Sequence, residues 1–317
     1  MPVLSFAKSP QAWLYALWKF SRPHTIIGTS LSVLGLFLLA LQAVPLLFET
    51  GSTLGGLIGL VAAAWIACLG GNVYIVGLNQ LEDVAIDRIN KPNLPLASGE
   101  FSRQQAYGII GTCAAIALGL AITQGPFLIA TVVVSLLIGT AYSLPPVRLK
   151  RFPFWASFCI LAVRGGVVNL GLFLHFSDRL GLPTTIPAKV WALAAFVVIF
   201  SIVIAIFKDI PDIEGDRKYN ITTFSVKLGQ TAVFKLARLM LTGCYVAMAF
   251  AAFSIPGLNG WLMAVYHLGA IAVVWGLSQR VSLANPGAAM SYPAFYQFIW
   301  KLFFLEYLVF PLGCWLS

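Results

Sequence analysis

The sequence predicts an all-α, polytopic membrane protein, one integral-membrane domain over residues 1–317 with about nine transmembrane helices. Three observations lead there. Hydrophobic residues fill 59% of the 317 positions and charged ones 10%. That is more apolar surface than a soluble core of this length can hide, because burial is limited by the ratio of surface to volume. Apolar runs of about 20 residues, the length that crosses a bilayer, recur along the chain. The cations between those runs fit a single orientation in a membrane.

Bounded by charge, Pro or Gly, the runs lie near 24–42, 57–80, 104–123, 126–143, 154–175, 188–208, 231–254, 260–279 and 295–315. Only Thr123-Gln124-Gly125-Pro126 separates the third and fourth, which leaves them open to partial fusion. No alternation of period two is sustained, so strands are not expected. Ahead of the first run, an aromatic-rich segment with Trp13, Tyr15 and Trp18 suits the membrane interface. With neither a cleavable signal peptide nor a plastid-type extension ahead of it, a prokaryotic or trimmed chain is expected. Cys68, Cys113, Cys159, Cys244 and Cys314 fall in apolar runs without CxxC spacing and read as small buried hydrophobes.

With a cytoplasmic N-terminus, the 20 Lys and Arg residues fall on that side or at its helix ends, except Arg179, Lys189 and the intramembrane Arg164. This is the positive-inside bias. The net charge of +9 therefore describes topology and an anion-attracting face. Nucleic-acid binding is excluded, since no base-stacking module accompanies the charge.

Of the 11 acidic residues, all but Glu49, Asp178 and Glu306 collect after the second and sixth runs, on the expected cytoplasmic side. The first cluster, Asn79-Gln80-Leu81-Glu82-Asp83-Val84-Ala85-Ile86-Asp87-Arg88, spaces Asn79, Asp83 and Asp87 at i, i+4, i+8. A helical continuation stacks them on one face. Like charges at that spacing repel, more so near lipid, and a cation reverses the sign. Oxygen ligands from Asn and Asp suit Mg²⁺, which takes one or two carboxylates and leaves its other positions to water and phosphate.

The second cluster, Lys208-Asp209-Ile210-Pro211-Asp212-Ile213-Glu214-Gly215-Asp216-Arg217, spaces Asp209, Asp212 and Asp216 at i, i+3, i+7. Pro211 is compatible with a new helical turn. Either cluster alone reads equally well as a solvated acidic loop; two on one side weaken that reading. Glu82 and Glu214 either join the ligands or flank them. Each face ends an apolar helix and precedes a Gly-containing loop, the first with Ser102 and Gln105 spaced as a capping box. The clusters thus read as an internal repeat, and two facing halves would bring them to one cavity.

Two carboxylate faces with neighbouring cations suit a diphosphate held through Mg²⁺, with Lys and Arg taking the remaining charge. If the ester is allylic, neutralising the leaving group lets the C–O bond ionise, and the carbocation needs a dry pocket with π faces. Tyr142, Phe207 and the aromatics of the last run could supply such faces, though for any single one lipid-facing or core packing is the stronger reading. The catalytic candidates are Asp83, Asp87, Asp209, Asp212 and Asp216, and the metal ligands are these with Asn79. Cationic candidates are Arg22 and His24 at the first run, Arg88 and Lys91 after the first cluster, Arg148, Lys150 and Arg151 after the fourth run, and Lys208. Topogenic charge is the competing reading for these; His24 suits proton transfer or helix capping. Arg164 is harder to set aside, because an intramembrane Arg is costly unless paired or facing a polar cavity. It either holds an acceptor carboxylate or pairs with an aspartate. His175 and His267 carry no assignable signal.

On these residues the chain resembles the UbiA superfamily of intramembrane prenyltransferases over nearly its full length. The Asn79/Asp83/Asp87 and Asp209/Asp212/Asp216 motifs match its two signatures in type, order and separation. The resemblance implies nine transmembrane helices around a central cavity, with Mg²⁺ and a prenyl diphosphate between the motifs. Three flanks are similar to homogentisate prenyltransferases, the phytyl-transferring ones in particular: Asn79 through Gly99, Lys208 through Gly229, and Phe295 through Tyr307. Chlorophyll synthases share part of the first. What this implies is ionisation of phytyl diphosphate, attack by the ring of homogentisate, a small aromatic acid, and loss of the side-chain carboxylate as CO₂. The product is then 2-methyl-6-phytyl-1,4-benzoquinol of the tocopherol pathway, made in a cyanobacterial thylakoid or plasma membrane.

The same machinery serves solanesyl or geranylgeranyl diphosphate, and dihydroxynaphthoate or chlorophyllide as acceptor, since all share the motif residues. A transporter of an anionic lipid is the competing class. Against it, the second and sixth runs share one orientation, and transport does not call for so many carboxylates opposite a basic loop. The oligomeric state is left open.

Overall fold

The computed structural model describes residues 3–44, 53–211, 213–218, 223–281 and 290–317. Its α-helices are α1 (Pro10–Phe20), α2 (Pro23–Leu41), α3 (Leu54–Glu82), α4 (Val84–Asn90), α5 (Pro95–Ser98), α6 (Arg103–Gln124), α7 (Pro126–Ser143), α8 (Pro153–Leu161), α9 (Val168–Arg179), α10 (Ala188–Asp209), α11 (Ile213–Lys218), α12 (Phe224–Leu228), α13 (Gln230–Ala251), α14 (Gly260–Ser278) and α15 (Tyr292–Trp315). Among the described residues nine helical spans are long and apolar enough to cross a membrane: α2, α3, α6, α7, Phe154–Arg179, α10, Gln230–Ser254, α14 and α15. They coincide with the nine apolar runs of the sequence. The protein is an all-helical, multi-pass membrane protein, and a lone bridge between Val281 and Met290 is the one strand-like pairing described.

Local chemistry sets the helix ends. At the start of α6 the Gln105 N–H donates to Ser102 Oγ at 3.1 Å, and the Ser102 N–H donates to Gln105 Oε1 at 2.9 Å. This is the expected capping box, which satisfies two otherwise orphaned donors. Gly125 at φ 105° keeps α6 and α7 separate; that conformation carries a penalty for any residue with a Cβ, and Pro126 then opens α7. The fifth span is not a uniform helix. A π turn over Ala162–Val167 joins α8 to α9, with the Val168 N–H reaching back to Val163 O. Gly165 in that turn presses on α10, where a Cβ would sit 2.2 Å from Val198 Cγ2.

The chain divides into two compact units. Unit 1 comprises Met1–Val33, Leu47–Cys159 and Glu214–Thr222; unit 2 comprises Leu34–Leu46, Ile160–Ile213 and Thr223–Ser317. Unit 1 packs through small residues. Ala64, Ala67, Gly70 and Gly71 of α3 are buried, as are Ala106, Ala117 and Ala121 of α6. A Cβ at Gly70 would stand 2.7 Å from Cys113 O, the close backbone approach that small residues permit between membrane helices. Unit 2 is aromatic inside: Phe196, Phe200, Phe207, Tyr245, Phe295, Phe303, Tyr307 and Phe310 are all at most 2% exposed. All five cysteines are free thiols.

In each unit several helix ends meet. In unit 1, Lys19 at the end of α1 pairs with Glu100, just ahead of α6, at 2.6 Å. The α1–α2 junction, the end of α3 and the turn after α7 join them through Arg22, Asn79, Asp83 and Lys150. In unit 2, Gln230 at the start of α13 and Tyr292 at the start of α15 donate to the backbone carbonyls of Ile210 and Phe207, at the end of α10.

Candidate active site

The first acidic face lies in unit 1, at the joint between α3 and α4. Helical bonding runs through the joint: the Asp83 N–H donates to Asn79 O at 3.1 Å and the Asp87 N–H to Asp83 O at 2.8 Å. The backbone at Asp83 departs from helical values (φ −109°, ψ 15°) without breaking that ladder. Asn79, Asp83 and Asp87 therefore follow one another on successive turns.

Asp83 is the hub. Lys150 Nζ donates to its Oδ2 at 2.6 Å and Arg148 Nη2 to its Oδ1 at 3.0 Å. Asn79 Nδ2 donates to Oδ2 at 3.1 Å, while Asn79 Oδ1 accepts from Arg22 Nη2 at 3.4 Å. Asp83, Arg148 and Lys150 are only 14%, 20% and 11% exposed, so these are partly desolvated pairs. Burial pushes the Lys150 ammonium below the usual lysine range; Asp83 pulls it back up, and Arg148 adds to the fall. Asp87 is buried, and its charge also reaches Lys150.

Two of these cations are held by unusual backbone. Arg22 (φ 54°) and Arg148 (φ 38°) are the non-glycine residues at positive φ among those described. Each such position costs on the order of 1–3 kcal/mol and persists where surrounding structure over-determines it. Both side chains end on the acidic face. The donor set fits a hard divalent cation: Asn79, Asp83 and Asp87 offer oxygen ligands, and the ammonium and guanidinium now on Asp83 could turn to phosphate oxygens if Mg²⁺ took their place.

Asp209 ends α10 in unit 2, with Lys208 Nζ 3.5 Å from its Oδ1. Asp212 lies outside the described residues; Asp216 falls in α11, with its side chain outside them. His24 is half-buried in the first turn of α2, Lys91 is half-buried at the end of α4, and Tyr142 is half-buried near the end of α7. Arg88 and Arg151 are exposed and are not among the side chains bonded to Asp83.

Arg164 sits in the π turn of the fifth span. Its guanidinium lies 5.1 Å from the Trp300 ring centroid and 5.8 Å from that of Phe303. Asn169 Nδ2 donates to the carbonyls of Arg164 and Gly165 at 2.7 and 3.0 Å, and its Oδ1 accepts from Tyr307 Oη at 2.9 Å.

Residues 30–302 match the UbiA prenyltransferase family. The chain belongs to that family. Homogentisate phytyltransferase of Synechocystis sp. is 52% identical over 96% of this chain and 97% of its own. Homogentisate phytyltransferase 1 of Arabidopsis thaliana is 41% identical over 96% and 76%, and homogentisate solanesyltransferase of the same plant 40% over 93% and 76%. A solved UbiA homologue from Archaeoglobus fulgidus, bound to GPP and Mg²⁺, shares the fold with a TM-score of 0.63 at 16% identity, covering 92% of this chain and 98% of that one.

Two features of this UbiA prenyltransferase gave little signal in the sequence. Asn169 and Tyr307, which tie down the π turn, look like ordinary span residues. His267 and Glu306, both 0% exposed, stand 3.3 Å apart between α14 and α15. The available hint was a lone carboxylate in an apolar helix, where an ionisable residue needs a partner.

Proposed function

We propose that this UbiA prenyltransferase moves a phytyl group from phytyl diphosphate to homogentisate, giving 2-methyl-6-phytyl-1,4-benzoquinol and CO₂. Support for the two substrates is the 52% identity, over nearly all of both chains, with the Synechocystis enzyme of that name. Support for diphosphate chemistry is Asp83, a carboxylate ringed by Asn79, Arg148 and Lys150.

Arg22, Arg148 and Lys150 bind phosphate oxygens, and their charge favours departure of the diphosphate. Mg²⁺, when bound, supplies Lewis-acid stabilisation of the charge on the leaving group. Asn79, Asp83 and Asp87 would hold it at the first motif, and Asp209, Asp212 and Asp216 at the second. As the allylic C–O bond breaks, its electron pair leaves with the diphosphate. A π pair of the acceptor ring forms the new C–C bond, and the ring carbon gives up its proton, with His24 a candidate to receive it. In the second change the carboxylate leaves as CO₂, and its bonding pair takes a proton to become the methyl group. Arg88, Lys91, Arg151 and Lys208 add to the anion-attracting potential at the helix ends, which we place on the cytoplasmic face of a cyanobacterial thylakoid or plasma membrane.

The test incubates purified protein in detergent with Mg²⁺, carboxylate-labelled homogentisate, and phytyl or solanesyl diphosphate in separate reactions. Labelled CO₂ with a phytylated quinol is expected. Product from the solanesyl donor alone would reassign the donor. No product from either, with diphosphate released on dihydroxynaphthoate, would keep the family chemistry and discard homogentisate.

A further inference from the structure

Unit 2 holds a cation at membrane depth whose surroundings are built for it. Arg164 lies ten residues into the span Phe154–Arg179, about 15 Å from its start at 1.5 Å per residue. Trp300 and Phe303, the rings against its guanidinium, are each 2% exposed, so the side chain points into the unit and not toward lipid. It nevertheless keeps partial exposure of its own. Among the described residues no carboxylate stands within ion-pair distance of it. Ring faces attract a cation without neutralising it, and an arginine at this depth is costly unless it pairs or faces a polar cavity. The backbone around it is fixed: Asn169 clips the two carbonyls of the π turn, and Tyr307 fixes Asn169. π turns recur at functional sites.

We infer that Arg164 is the receptor for the acceptor's carboxylate, binding the acid group of a small aromatic acid whose ring lies beside Trp300 and Phe303. This rests on the aromatic-acid acceptor of the proposed function. The planar guanidinium fork matches a carboxylate with two parallel hydrogen bonds. Within unit 2 the rings lead on to α10, since the Phe303 ring packs 5.5 Å from that of Phe200, on the helix that Asp209 ends. Charge agrees with the assignment. A lone guanidinium would oppose an allylic cation forming nearby, whereas a guanidinium already paired with the acceptor is neutral toward it. The acceptor's acid group thereby makes the pocket fit for ionisation, and a quinol lacking it is a poor acceptor.

The test measures binding of homogentisate and of its amide, 2,5-dihydroxyphenylacetamide, to purified wild type, Arg164→Gln and Arg164→Lys, with the KM for phytyl diphosphate as a second readout. Wild type is expected to prefer the acid by about 10- to 100-fold, the worth of a charged hydrogen bond. Arg164→Gln should lose that preference with the donor KM unchanged, and Arg164→Lys should keep part of it. A retained preference in Arg164→Gln overturns the assignment while leaving the homogentisate reaction intact. Equal binding of acid and amide by wild type overturns it too, and product formation by that same protein reports separately on the reaction. A raised donor KM in both variants would move Arg164 to the diphosphate. Should Arg164→Gln fail to insert, Arg164→Lys decides alone: an undiminished preference for the acid, with the bidentate fork gone, counts against the proposal.

Discussion

The two units handle charge in opposite ways. In unit 1 the acidic face is over-supplied with counter-ions: Asp83 alone takes Lys150 at 2.6 Å and Arg148 at 3.0 Å, and Arg22 reaches the neighbouring Asn79. In unit 2 Arg164 meets two rings and no described carboxylate. A surplus of cations around a carboxylate suits a ligand that brings both negative charge and a metal, because each partner has somewhere to go when the ligand arrives. A cation left to π faces suits a ligand that brings one negative charge and little else. The difference separates the two substrates by what each is missing.

The largest expected effect breaks the unit 1 side of that comparison. Asp83→Ala should lower turnover by about 10³-fold or more, since several kcal/mol of transition-state stabilisation pass through the metal, while the protein still inserts in membranes. Chelation with EDTA should give the same loss without a substitution, restored by Mg²⁺. If Asp83 were only a structural ion-pair hub, the substitution would lower the melting midpoint and leave the turnover of folded protein near normal.

Lys150→Ala sharpens the contrast with Arg164. It should raise the KM for prenyl diphosphate by about tenfold, the worth of one charged hydrogen bond at a partly exposed site, and leave the KM for homogentisate unchanged. Steady-state kinetics with each substrate varied in turn would show it. The reverse order would place the turn after α7 on the acceptor side and undo the separation.

How far the sequence foretold this differs between backbone and site. The nine spans were legible because a bilayer demands a run of fixed length, and the described residues supply it nine times. The spacing of Asn79, Asp83 and Asp87 was legible as well, because α3 continues as helix through its polar end to Glu82. Ranking the cations was not. Arg151 looked as good as Lys150, and only the turn after α7, with Arg148 at positive φ, aims Arg148 and Lys150 at Asp83 and leaves Arg151 exposed. The π turn was equally hidden. Arg164-Gly165-Gly166 shows a charge and two glycines, whereas the wide turn depends on Val198 beneath Gly165 and on Asn169 above the freed carbonyls.

The smallest expected effect on catalysis concerns a buried polar contact, that of His267 with Glu306. His267 Nδ1 lies 2.6 Å from Met263 O, its Nε2 faces Glu306 at 3.3 Å, and the rings of Phe196, Tyr245 and Tyr266 close around it. With neither group exposed, removal of one leaves the other's polar atoms buried without a partner, which costs about 1–3 kcal/mol. His267→Ala should therefore lower the melting midpoint in detergent by several degrees, while folded protein keeps a kcat within about twofold of wild type, a small barrier change. Replacing both partners, as His267→Leu with Glu306→Leu, leaves no polar atom buried there and should recover most of the lost stability. Recovery would mark the pair as an internal fastening of α14 to α15, unlike Asp83 and Arg164, whose charges are arranged for ligands. A double variant as stable as wild type but with kcat well below it would show that this pair, too, takes part in turnover.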